Sequence, residues 1–227
     1  MRLQKIIFTF WLCISYMVVL SQGDTLRLNP VEEPPKQPPY QPFVFKTSPT
    51  ALLWGGVFPY TSEFRIMAEL TTGRTQSEQI SVSYLFPNIF IAAVAALSND
   101  KLEASGWRLQ YAHKFYLIRK KKFAPYGFYV APLVSYANAH VVLGRIAAFN
   151  REYLEFRHFN INVIAGVQIG KFHRLTMDSY IGLGYRKNKA LYHNSGGKIV
   201  PYNTTDFGEL YNLPLNAVFG INLGYSL

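Results

Sequence analysis

Residues 215–227 read LNAVFGINLGYSL, and the alternation in this stretch decides the fold. Leu215, Ala217, Phe219, Ile221, Leu223, Tyr225 and Leu227 share one parity; Asn216, Gly220, Asn222, Gly224 and Ser226 share the other. Successive side chains of a strand point to opposite faces, so one face is apolar and the other small and polar. A face in open water would carry Lys and Glu, and this one carries Asn, Gly and Ser. The pattern predicts a strand with its apolar face in lipid and its polar face in a narrow lumen.

The same alternation recurs upstream. Trp107, Leu109, Tyr111, Phe115 and Leu117 oppose Arg108, Gln110, Lys114 and Tyr116. Phe159, Ile161, Val163, Ala165, Val167 and Ile169 oppose Asn160, Asn162, Gln168 and Gly170. Weaker versions run through 64–70, 80–86, 126–136 and 177–185, and a short first strand is expected over 51–57. These make eight candidate strands, most about ten residues long or longer. Globular strands average roughly 5–6 residues, whereas a tilted strand crossing a bilayer needs roughly 9–11. The expected fold is all-β, an eight-stranded antiparallel transmembrane β-barrel covering 43–227. A soluble lipocalin-like barrel would reverse the faces, with its apolar side around a ligand.

Composition agrees. The chain has 227 residues with 49% hydrophobic, 16% aromatic and 16% charged side chains. That excludes bulk disorder and fits poorly with a cytosolic enzyme, for which about 25% charge is usual. Residues 1–23 read as a secretory signal: Arg2 and Lys5, an uncharged run from Ile6 to Leu20, then Ser21 and Gly23 before a cut. Cleavage there removes Cys13, the only cysteine, leaving no disulfide, thiolate metal site or cysteine nucleophile. It also lowers the net charge from +10 to +8 by removing Arg2 and Lys5. Residues 24–42 form a proline-rich tail expected in the periplasm, with prolines at 30, 34, 35, 38, 39 and 42. Such a segment favours extended polyproline II, a spacer or a ligand for a partner's groove.

The connections alternate between short and long. An even number of strands puts both termini at one end, beside short turns at 72–76, 119–125 and 171–174. Those turns hold Arg74, Arg119, Lys120, Lys121, Lys122, Lys171 and Arg174 and no acid. Long loops at 87–104 and 188–212 mark the opposite end, which in outer-membrane barrels is extracellular.

Three stretches carry a resemblance: residues 61–65 (TSEFR), 106–109 with 114–117 (GWRL and KFYL), and 126–132 (YGFYVAP). They resemble an uncharacterised family of small outer-membrane β-barrels typical of Bacteroidetes-type bacteria. The resemblance covers most of 50–227 and implies a barrel in the cell outer membrane, without implying a chemistry. Leu227 departs from the aromatic residue usual at the end of such barrels.

Candidate chemistry is sparse. The histidines at 113, 140, 158, 173 and 193 lack metal-ligand spacing, and no cofactor is expected. Residues 166–171 fall one short of a phosphate-binding loop and sit in a strand. Asn203-Thr204-Thr205 has the form of a glycosylation acceptor, without meaning in a bacterium. Arg65, Glu69, Arg108, Lys114, Asp178 and Arg186 are the expected lumen residues, a paired interior plug. His193, Ser195 and Glu209 give an alternative: they resemble the His-x-Ser and acid of outer-membrane lipid A deacylases. That resemblance would make Ser195 the nucleophile, His193 its base and Glu209 the orienting acid. Gly196 and Pro201 depart from the motif and point to a surface loop. The expected function is a structural or accessory envelope component. Its partners would be outer-membrane lipid and an envelope protein met through 24–42, 87–104 or 188–212, with no nucleic acid.

Overall fold

Burial follows sequence parity along the strands. Ile221 is 40% exposed and its neighbour Asn222 is 1% exposed. In this computed structural model, residues 43–53, 61–97, 102–117, 124–143, 150, 152–171, 174–202 and 214–227 are described. The signal segment 1–23, the tail 24–42, the basic run 119–122, the sequon 203–205 and Glu209 lie outside them.

The strands are β1 (Phe43–Thr47), β2 (Thr61–Thr71), β3 (Gln76–Pro87), β4 (Leu102–Leu117), β5 (Gly127–Leu143), β6 (Tyr153–Lys171), β7 (Leu175–His193), β8 (Ile199–Pro201) and β9 (Leu215–Ser226). A helix, α1 (Ile89–Leu97), lies between β3 and β4. Neighbours from β1 to β7 pair antiparallel, β7 pairs β9, and β9 returns to β1. The result is a closed eight-stranded antiparallel β-barrel. The short β8 extends β7 as a hairpin outside that circuit.

A rung followed from Val44 runs through Glu69, Gln79, Ala112, Leu133, Asn162 and Gly184 to Asn216. The direct partner of Val44 on β9 is Ser226, so the register slips by ten residues around the barrel. A shear of that size tilts the strands by about 40°. The termini of the barrel meet at the short-turn end, where the Leu227 amide donates to the Phe43 carbonyl at 3.0 Å.

Two expectations are corrected, and one connection gains a helix. The first strand is Phe43–Thr47, not 51–57: Pro49 lacks an amide donor and opens a 3-10 turn over Pro49–Leu52. Residues 54–57 lie outside the described residues. The loop 87–104 contains α1, whose Ile, Ala and Leu run has no helical stripe to betray it. Asn88 caps it, its Oδ1 accepting from the amides of Phe90 at 3.0 Å and Ile91 at 3.3 Å. The expected loop 188–212 begins as strand, because β6 and β7 continue pairing as far as Tyr153 and His193.

The outward face has a consistent vertical order. Exposed Tyr84, Trp107, Phe159 and Tyr185 lie toward the long-loop end, and exposed Phe45, Phe115, Phe128 and Tyr225 toward the short-turn end. Between them stand Ile66, Val82, Leu109, Val163, Ile181, Leu183 and Ile221, all exposed. From Phe115 to Trp107 the chain climbs roughly 26 Å, or about 20 Å along the barrel axis at this tilt. Among the described residues an outward polar cluster interrupts the band: Tyr111 Oη donates to Glu78, and His113 Nδ1 lies 2.5 Å from Glu78 Oε1.

Candidate functional site: a layered lumen

Inside, the barrel is filled in three layers. Nearest the short turns is an ion network that draws a side chain from each of the eight barrel strands. Lys46 Nζ (β1) contacts Gln168 Oε1 at 2.7 Å, Asp178 Oδ2 at 2.9 Å and Gln79 Oε1 at 3.3 Å, and pairs with Glu69. Lys114 Nζ (β4) reaches Asp178 Oδ2 at 2.8 Å, Gln168 Oε1 at 3.2 Å and Glu69 Oε2 at 3.4 Å. Tyr116 Oη donates to Glu69 at 2.7 Å, and Tyr129 Oη (β5) donates to Asp178 Oδ1 at 2.6 Å. Asn222 (β9) completes the ring at 3.4 Å from Asp178. Two lysines face two carboxylates, so the layer is neutral. Its four charged side chains are at most 1% exposed.

Glycine on the inward parity makes room for the tyrosines. A Cβ on Gly166 would sit 2.6 Å from the Tyr129 ring, and one on Gly220 would sit 2.7 Å from the Tyr180 ring. Neither ring could keep its place against an alanine.

The middle layer is rich in arginine. Arg65 and Arg108 share Glu63: Arg65 pairs with it, and Arg108 Nη1 lies 3.4 Å from Glu63 Oε2. Arg65 Nη1 donates across the lumen to Tyr180 Oη at 3.2 Å, and Arg108 Nη2 donates to Ser135 Oγ at 3.3 Å. Arg186 Nε donates to Asn216 Oδ1 at 3.1 Å, and Asn216 Nδ2 donates to Asn162 at 2.8 Å. The third layer, toward the long loops, is apolar: Leu85, Ala137, Val141, Phe156 and Ala190 are buried together, with Ile91 and Ala95 of α1 packed against them.

The structure therefore joins Glu69, Lys114 and Asp178 in one network and places Arg65 and Arg108 in the next layer, with Arg186 beside Asn216. Two central residues escape the sequence reading. Lys46 sits on the misplaced first strand, and Glu63 falls just before the alternation read over 64–70 when it is the third residue of β2. Inward parity over 43–47 and 61–71 was the signal for both.

His193 and Ser195 lie at the long-loop end. His193 Nε2 is 3.0 Å from Glu155 Oε2, and its ring stacks on Tyr153 at 4.3 Å. Glu155 also accepts from Arg157 Nε at 2.6 Å and Asn138 Nδ2 at 3.1 Å. The acid beside His193 is thus Glu155, which holds it to the strand wall, while Ser195 lies in an exposed turn. Among the described residues no group of His, Cys, Asp and Glu is arranged to hold a metal ion.

No protein-family model matches the chain and no curated protein matches it, so the resemblance to small Bacteroidetes-type barrels rests on the quoted motifs. Comparison with solved structures finds a crystal structure of a major outer membrane protein from Thermus thermophilus. It is 12% identical with a TM-score of 0.46, over 82% of this chain and 98% of that chain.

Proposed function

We propose that the chain is an exported outer-membrane β-barrel acting as a structural or accessory component of the envelope, with a closed lumen. The observation that carries this reading is the division of the two faces. The outside is an apolar band edged by aromatic residues at both ends, near the roughly 25 Å height of a bilayer-facing girdle. Inside, two layers of polar side chains are held to one another across the axis, and an apolar layer fills the end nearest the long loops. A soluble ligand-binding barrel needs the opposite arrangement. Residues 1–23 would direct export. The tail 24–42 and the long loops 87–104 and 188–212 would meet a protein partner.

Closure predicts heat-modifiability, because a ladder without edges resists detergent until boiled. Unboiled protein should migrate differently from boiled protein on a detergent gel, and identical migration would overturn the membrane barrel. Purified protein in planar bilayers should show no stepwise conductance, since eight strands enclose only enough space for their own side chains. Regular conductance steps would reject the closed lumen and favour a pore.

A further inference from the structure

We propose that the arginine layer of the lumen holds one small monovalent anion, of the size and charge of chloride. Arg65, Ser83 and Arg108 are consecutive on one rung: Arg65 pairs with Ser83 across β2 and β3, and Ser83 with Arg108 across β3 and β4. All three face inward, 6%, 2% and 7% exposed. The terminal guanidinium nitrogens have partners in Glu63, Tyr180 and Ser135. Arg65 Nε, Arg108 Nε and Ser83 Oγ are buried without one. Three buried hydrogen-bond donors thus stand on one rung of three neighbouring strands, two of them on cations.

Charge points the same way. Arg65 and Arg108 share the single carboxylate of Glu63, which leaves one positive charge in excess on this pair, while Arg186 of the same layer is held separately by Asn216. Among the described residues the other buried carboxylates are committed elsewhere: Glu69 and Asp178 to Lys46 and Lys114, and Glu155 to Arg157 and His193. A buried charge without compensation and a buried donor without an acceptor are both strongly unfavourable. One monovalent anion answers both. The narrow lumen excludes a bulky one. The ion network lies on one side of the layer and the apolar layer on the other, so the anion would be taken up as the barrel folds. This inference rests on the barrel's register and holds whether lipid or detergent surrounds it.

The test uses full-length protein refolded in detergent micelles in sodium gluconate, with chloride replacing gluconate at constant ionic strength. A ligand bound only by the folded state raises the unfolding midpoint along a saturating curve. Wild type should show that rise, Ser83→Ala should weaken it, and Arg108→Met should abolish it. Glu63→Gln frees both guanidinium groups from their competing carboxylate. It should lower the half-saturating chloride concentration by roughly tenfold, the factor given by about 1.4 kcal/mol. Should Arg108→Met not fold, Ser83→Ala and Glu63→Gln decide through their opposite shifts. A wild-type midpoint indifferent to chloride, or the same response in all variants, would overturn the proposal. Loss of heat-modifiability in wild type would instead overturn the barrel itself.

Discussion

Asp178→Leu is expected to cost about 3–5 kcal/mol, the range found when one partner of a buried ion pair is removed. Asp178 accepts from Lys46, Lys114 and Tyr129, linking β7 to β1, β4 and β5. Without it, two fully buried ammonium groups confront Glu69 alone. Lys114→Met should also be costly, because it leaves two carboxylates to one lysine. Combining the two changes restores neutrality and keeps the Lys46–Glu69 pair. The double variant should therefore be less destabilised than the sum of the singles by at least ~1 kcal/mol, a coupling of the size found within one network. Urea midpoints of the four proteins in one detergent give the comparison. Additive losses would mean that the side chains act separately and that the layer is not a unit.

How much of this was legible in the sequence depends on how each feature is encoded. Strand parity is written in every second residue, so the faces of β4, β6 and β9 could be read directly from 107–117, 159–169 and 215–227. Inward Glu69, Lys114 and Asp178 followed from parity too. Their meeting did not, because it depends on the shear of ten residues, a property of closure that no single strand carries. Lys46 was hidden by length, since five residues after a proline-rich segment give too few alternations to recognise. Glu63 was hidden by its place near a strand start, and boundaries are where alternation fades. Helix α1 has apolar residues on all sides and so lacks a period. The His193 to Glu155 contact joins residues 38 apart and needs the β6–β7 register.

The solvent outside the barrel decides what the molecule is for, and two arginine substitutions on one strand read it. Ile221 is outward on β9, in the middle of the apolar band, and Leu215 is outward on the same strand six residues nearer the long-loop rim. In a bilayer the penalty for arginine depends on depth: about 2–4 kcal/mol at the midplane and ~0–1 near an interface. Ile221→Arg should therefore sharply lower the yield of folded, heat-modifiable protein in lipid vesicles, and Leu215→Arg should leave it almost unchanged. Both residues are exposed strand positions of similar chemistry, so strand propensity alone predicts no such difference. If the exterior met water, Ile221→Arg would replace an exposed apolar group with a charged one and would be harmless. Equal assembly of the two variants in vesicles would remove the lipid-facing assignment and return the barrel to the soluble class. A depth-dependent loss, steep at 221 and shallow at 215, would place the middle of the membrane at Ile221.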